Sequence, residues 1–183
     1  DLSIATEHRA TQIALRLLGN AQRTYGNGKR VGRRAIITSV EGDTHLIGGV
    51  TFADLLRFEG WDVDFLGVDT PIDALVELVQ KQSPELVGIS VTIKKYLPNV
   101  FATVEKIKQL PDAPVVVVGG AFVATNPIFE ADFCSEDAVE AVNWVQTHFG
   151  LNESSVTIDV LLADLGSRIQ QLRKDRGLSQ QGL

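Results

Sequence analysis

The sequence predicts an α/β fold in which helices cover both faces of a parallel, five-stranded sheet. Short apolar runs alternate with stretches that are each long enough for a crossover helix, which is the pattern of βαβ units. One run contains four consecutive valines at 115–118 and has no polar face, as a strand covered on both sides requires. Hydrophobic residues make up 44% of the 183 residues, which is enough for a substantial core.

The first half of the predicted sheet comes from two strands. Residues 35–40 form an apolar run closed by a Glu-Gly-Asp turn, and residues 45–60 are long enough for the first crossover helix. The second strand is predicted at 63–67. The helix predicted at 71–81 has apolar side chains at helical spacing, with Pro71 acceptable in its first turn.

The second half of the sheet is predicted from three further strands. Residues 86–90 and 115–119 flank a helix expected at 96–109, and a weaker fifth strand at 131–134 precedes a helix at 136–149. Five strands favour the flavodoxin-like order 2-1-3-4-5, in which ligands bind at the carboxyl ends of the strands.

Charge divides the chain into three segments. Residues 1–34 carry a net charge of +5, residues 35–150 carry −11, and residues 151–183 are neutral. We therefore expect a lead helix in residues 1–33, an acidic domain in 34–150 and a helical tail.

The ends of the chain are not expected to be natural ends. The sequence contains no methionine and begins Asp1-Leu2-Ser3, which is typical of a fragment or a processed product. Residues 126–130 are short for a helix between the fourth and fifth strands, as if residues near 127–130 were missing.

Composition excludes several classes of protein. No apolar run approaches the roughly 20 residues that span a bilayer, and the first residues do not resemble a signal peptide. The single Cys134 cannot form an internal disulfide, so we expect a soluble, cytoplasmic chain without a membrane partner. The acidic total argues against unspecific binding of nucleic acid by the whole chain.

Residues that follow the predicted strands do not fit the common nucleotide motifs. Gly42, Gly48 and Gly49 lack the spacing of a dinucleotide-binding G-x-G-x-x-G motif, and the chain has no P-loop after a strand. Ser90 and Cys134 stand where a phospho-receiver of this fold would need aspartate and lysine.

The loop after the first strand offers one imidazole next to one carboxylate, in Asp43-x-His45. A metal-bound histidine generally donates its second ring N–H to a carboxylate or carbonyl. One imidazole cannot form a zinc site, which needs three or four protein ligands. A single protein ligand is sufficient only when a macrocycle supplies the other positions.

Three separated motifs resemble one family when they are taken together. Asp43-x-His45-x-x-Gly48, then Ser90-x-Thr92, then Gly119-Gly120 resemble the cobalamin-binding domain of methionine synthase, corrinoid methyl carriers, cobalamin mutases and cobalamin-dependent photoreceptor regulators. The resemblance covers about residues 34–149. It implies adenosylcobalamin or methylcobalamin as the cofactor, bound with its own dimethylbenzimidazole displaced from cobalt.

The resemblance also implies a role for each motif residue. His45 would ligate cobalt from below, Asp43 would orient His45, and Ser90 would be the next hydroxyl in the relay. Gly48 would leave room for the displaced nucleotide tail, whose slot would be lined by Thr92, Gly119 and Gly120. The structural alternative is that Asp43 caps a helix beginning near His45 and that the two glycines form a tight turn.

The segments on either side of this domain suggest a sensor. Glu7-His8 resembles the pair in the last helix of the four-helix bundle that caps the upper cofactor face in light-sensing cobalamin regulators, although ordinary packing of both residues is the alternative. Residues 165–183 resemble the opening of a helix-turn-helix, and a signalling helix is equally compatible with them. The chain stops before a recognition helix, so any DNA contact would be incomplete.

We therefore expect a cobalamin-binding sensor that controls transcription or signalling, with light as a candidate signal and a homo-oligomer as a candidate assembly. The first alternative is a corrinoid methyl carrier of a methyltransferase system, which would make the chain part of an enzyme. The second alternative is a haem-binding sensor on the same fold.

Overall fold

A computed structural model describes residues 4–25, 30–123 and 130–151 of the chain. The elements run in the order α1 (Ile4–Tyr25), β1 (Arg34–Ser39), α2 (Ile47–Phe58), β2 (Asp62–Phe65), α3 (Ile72–Gln82), β3 (Leu86–Ser90), a 3₁₀ turn (Lys94–Tyr96), α4 (Leu97–Lys108), β4 (Val115–Gly119), β5 (Phe133–Ser135) and α5 (Ala138–His148).

The five strands form one parallel sheet in the order β2-β1-β3-β4-β5. The predicted fold class and strand order are therefore confirmed. Among the strands, β2 ends at Phe65 instead of the predicted residue 67, and β5 begins at Phe133 instead of the predicted residue 131. Gly67 has a positive φ of 93° and leaves the regular ladder, although its carbonyl still accepts a hydrogen bond from Ser39 N–H over 3.0 Å.

The two faces of the sheet are packed differently. Alternate strand residues meet α3 and α4 on one face, where the core contains Ile36, Leu75, Val79, Val87, Val100, Val104 and Val116. On the other face α2 and α5 pack against each other and against the strands, and α1 packs beside α2. The valine-rich β4 is buried on both sides, as its sequence predicts.

The strand register aligns small residues at the carboxyl end of the sheet. Ser39 of β1 lies opposite Ser90 of β3, Ser90 lies opposite Gly119 of β4, and Gly119 lies opposite Ser135 of β5. The loops that leave these strands consequently meet above one row of small side chains.

Two groups of sequence predictions fall on undescribed parts of the chain. The shortened segment at 126–130 lies outside the described residues except for Glu130, and so does the predicted tail helix beyond residue 151. Within the described ranges, no helix is both long and apolar enough to cross a membrane.

Candidate functional site

A carboxylate and an imidazole are paired in the loop between β1 and α2. His45 Nδ1 lies 2.6 Å from Asp43 Oδ1, and the amide N–H of His45 donates to the same oxygen over 3.0 Å. The Asp43 side chain is 1% exposed, whereas that of His45 is 42% exposed. Because Nδ1 faces the carboxylate, Nε2 is the ring nitrogen that could coordinate a metal.

The backbone of this loop is fixed by the end of β1. The Asp43 N–H donates to the Val40 carbonyl over 3.0 Å, and Ser39 Oγ donates to the His45 carbonyl over 2.8 Å. The N-cap residue of α2 is Leu46, and no side chain caps that helix. Asp43 is thus not the helix cap that the structural alternative proposed.

The second oxygen of Asp43 has backbone partners from the loop after β3. Oδ2 accepts the N–H of Thr92 over 2.5 Å and that of Ile93 over 3.4 Å. The sequence prediction placed the Ser90 hydroxyl next to Asp43 in the relay. The structure places these two amides on the carboxylate, and the role of Ser90 stays a prediction. Ser90 Oγ lies close to Gly48: a Cβ added at Gly48 would be 3.1 Å from this oxygen.

These contacts keep Asp43 ionised. Burial alone would raise the pKa of Asp43, but the hydrogen bonds from Thr92 N–H, His45 N–H and the His45 ring outweigh it, so the pKa lies below its ordinary value of 3.8. An ionised carboxylate favours the tautomer of His45 that carries its proton on Nδ1. Nε2 then presents a lone pair.

A cavity of about 210 Å³ opens between the sheet and the face formed by α2 and α5. Its lining includes five of the residues predicted to bind the cofactor: Gly48, Ser90, Thr92, Gly119 and Gly120. The structure therefore brings these five residues together around one cavity. His45 lies at the same edge of the sheet, in the loop that leads into α2 and Gly48.

Gly119 and Gly120 both line the cavity, but the absence of a side chain has a different consequence at each position. Gly120 has φ 143°, and a Cβ added there would lie 1.7 Å from the carbonyl oxygen of Val91, so the backbone itself requires glycine. A Cβ added at Gly119 would meet only the carbonyl oxygen of Ser135, at an ordinary 3.7 Å. The absence of a side chain at Gly119 therefore keeps cavity space open and is not required by the protein's own packing.

Sequence reasoning missed the other small residues of the cavity wall, namely Gly49, Gly88, Ala121, Ser135, Ala138 and Ala141. Gly88 carried a usable signal, because a glycine inside an apolar strand marks a close approach. A Cβ added at Gly88 would lie 2.6 Å from Ile37 Cδ1. The alanines of α5 carried no such signal.

Glu7 and His8, predicted to cap the cofactor, lie in α1, but their side chains lie outside the described part of the structure. Their role stays a prediction. Among the residues that are described, no three His, Cys, Asp or Glu side chains are placed to hold a metal ion together. His45 is consequently considered as a single ligand.

A larger cavity, of about 580 Å³, lies at the opposite edge of the sheet. Its lining includes Arg30, Arg33, Arg34 and Arg57, with Asp62 and Glu85. None of the predicted site residues whose side chains are described contributes to it. Five of them line the smaller cavity instead, which makes the smaller cavity the candidate cofactor site.

Several known proteins are similar to this chain. The family model described as "B12 binding domain" matches residues 33–143. The dimethylamine corrinoid protein of Methanosarcina barkeri is 34% identical over 109 residues, which cover 57% of this chain and 51% of that protein. The chain thus spans about half the length of this relative.

Two solved structures share the fold. A cobalamin-binding protein from Desulfitobacterium hafniense DCB-2 matches with a TM-score of 0.59 and 31% identity, over 63% of this chain and 58% of that one. The monomethylamine corrinoid protein of Methanosarcina barkeri matches with a TM-score of 0.62 and 25% identity, over 70% of this chain and 63% of that one.

Proposed function

Because this chain belongs to the B12 binding domain family, whose cofactor is cobalamin, we propose that it is a corrinoid methyl carrier of a methyltransferase system. Two of the three proteins named above are methylamine corrinoid proteins, which favours the first alternative from the sequence over the predicted sensor. Cobalamin also takes the place of the haem that the second alternative required.

One observation carries the assignment of the metal ligand. Asp43 holds Nδ1 of His45 and leaves Nε2 free, at the sheet edge where the cavity of small residues opens. Cobalamin, when bound, supplies a cobalt ion that can accept and release a methyl group. His45 would hold that cobalt through Nε2.

The residues present fit this cofactor in two further respects. The open space at Gly119 leaves a slot that could receive the displaced nucleotide tail, with Gly48, Ser90, Thr92 and Gly120 around it. Exposed apolar side chains at Ile47, Leu66 and Ile93 surround the loops at this edge and could support an apolar ring system.

Asp43 would strengthen the histidine ligand. Its ionised carboxylate stabilises the proton on Nδ1, which raises the electron density available at Nε2.

The binding assignment is tested by absorbance spectroscopy of the purified chain with hydroxocobalamin and methylcobalamin. Wild type should give the spectrum of a base-off cofactor with histidine bound, and His45→Ala should give a base-off spectrum without histidine. His148→Ala, at the end of α5, is the matched control and should resemble wild type. An unchanged spectrum of His45→Ala would reject the axial assignment.

The carrier assignment needs a transfer experiment. Protein loaded with methylcobalamin should lose its methyl group to a thiol acceptor in the presence of a corrinoid-dependent methyltransferase, and mono-, di- and trimethylamine are the first donors to test for recharging. If illumination of the adenosylcobalamin form changes its spectrum and oligomeric state while no methyl transfer occurs, the sensor is the better assignment.

A further inference from the structure

Asp69 adopts a backbone conformation that most residues avoid. Its φ is 55°, and among the described residues only Ser83 shares a positive φ without being glycine. Aspartate tolerates this left-handed region better than most residues, but glycine would adopt it without strain. Such a conformation persists only where the surrounding structure holds it.

Both polar groups of Asp69 bind the loop that carries the histidine. Its Oδ1 accepts the N–H of Gly42 over 2.7 Å, and its own N–H donates to the carbonyl of Asp43 over 3.1 Å. The left-handed turn directs side chain and main chain toward the same stretch of backbone. Asp69 thus holds the loop both immediately before and at Asp43.

Gly42, whose N–H donates to Asp69, lies in a sterically tight place. Gly42 has φ 90°, and a Cβ added there would lie 2.5 Å from the ring of Tyr96. The loop therefore passes between the Tyr96 ring and Asp69. Meanwhile the Asp43 side chain is held from the other direction by Thr92.

We propose that Asp69 is a positioning residue for His45 and acts through Asp43. The inference rests on the proposed role of His45 as the cobalt ligand. Asp69 fixes the main chain of the loop from the β2 side and Thr92 fixes the carboxylate from the β3 side, so that Nε2 of His45 is presented in one orientation. The charged acceptor makes the bond to Gly42 stronger than a neutral one.

The test compares three variants of the full chain. Asp69→Gly removes the acceptor without adding strain, Asp69→Asn keeps an acceptor oxygen, and Ser83→Gly changes the other left-handed residue, which follows α3 and lies away from the loop. Each variant is loaded with cobalamin and reduced to the Co(II) form. Electron paramagnetic resonance then reports the fraction with a histidine nitrogen on cobalt.

Asp69→Gly should lower the histidine-bound fraction and weaken cobalamin binding by about tenfold, the usual effect of losing a charge-assisted hydrogen bond. In the cofactor-free protein, amide exchange at residues 42–45 should accelerate by about the same factor. Asp69→Asn should recover most of both effects, and Ser83→Gly should match wild type.

The inference would be overturned if Asp69→Gly matched wild type in its paramagnetic resonance spectrum, its cobalamin affinity and its amide exchange rates. A global loss of folding in Asp69→Gly would also overturn it, since Asp69 would then support the whole domain instead of one loop. His45→Ala in the same series separates the two assignments. If His45→Ala keeps the nitrogen signal, the ligand assignment fails. If His45→Ala loses the signal but Asp69→Gly keeps it, the ligand assignment stands and the positioning role of Asp69 fails.

Discussion

The amide N–H of Thr92 donates to Asp43 Oδ2 over 2.5 Å, although 49 residues separate the two in the chain. The bond joins the loop after β1 to the loop after β3, which are brought together because Ser39 and Ser90 are partners at the ends of adjacent parallel strands. One carboxylate therefore connects the ring of His45 to the backbone beyond β3. Any change in the position of His45 can be transmitted to that loop.

Replacing Asp43 by asparagine should destabilise the cofactor-free protein by about 1–3 kcal/mol at pH 7, because a buried charged acceptor of several hydrogen bonds becomes neutral. The folded-state pKa of Asp43 is lowered, so its contribution is present above about pH 4 and is lost as the pH falls through the folded-state pKa. Urea unfolding at several pH values should show the two proteins converging below pH 3.8. Asp112→Asn, on an exposed turn, is the control and should show no such convergence.

Replacing Glu59 by glutamine should stabilise the protein. Burial raises the pKa of Glu59, and the hydrogen bond from Gln146 Nε2, at 2.6 Å, only partly opposes that rise. Among the described residues, the buried Oε1 of Gln146 has no hydrogen-bond partner, and the new amide could donate to it. A gain of about 0.5–1 kcal/mol is expected at pH 7.

The gain from Glu59→Gln should depend on pH. Because the pKa of Glu59 is raised in the folded state, wild type loses stability as the pH rises through that pKa, and the glutamine variant does not. Thermal unfolding should therefore show a difference at pH 7 that disappears as the pH falls toward about 4. Glu105→Gln, an exposed residue that also accepts from a glutamine amide, is the control. An equal gain in Glu105→Gln would contradict the explanation.

Most of the fold could be predicted because it depends on side-chain pattern. Apolar runs such as 115–118 and helical spacing after Pro71 are local properties, and parallel pairing then follows from the alternation of strands and helices. The Asp43–His45 pair was also predictable, since two residues of separation place both groups in one loop. The structure adds the orientations of the Asp43 carboxylate and of the His45 ring.

The parts that could not be predicted depend on the backbone. Thr92 and Ile93 bind Asp43 through backbone N–H groups, which every residue except proline possesses. No side chain therefore signals this contact in the sequence. Asp69 acts through a left-handed conformation that its sequence neighbours do not specify. The distinction between Gly119 and Gly120 likewise needs the position of Val91 in three dimensions.

Replacing Gly120 by alanine should destabilise the domain by about 3 kcal/mol or more. The added Cβ would lie 1.7 Å from the Val91 carbonyl oxygen, and φ 143° is unfavourable for any residue with a side chain. Urea unfolding measures the loss directly. Gly19→Ala, in α1 with open space around the position, should instead stabilise the protein by up to about 1 kcal/mol.

Replacing Gly119 by alanine should separate cofactor binding from folding. The new methyl group would have no contact closer than 3.7 Å in the cofactor-free protein, so the free energy of unfolding should change by less than about 0.5 kcal/mol. Inside the cavity of about 210 Å³ the same methyl group would occupy space that the nucleotide tail needs. Cobalamin affinity, measured by titration calorimetry, should therefore fall by at least about tenfold, which corresponds to about 1.4 kcal/mol. Gly19→Ala should bind as wild type does, and undiminished binding by Gly119→Ala would show that the tail does not enter this cavity.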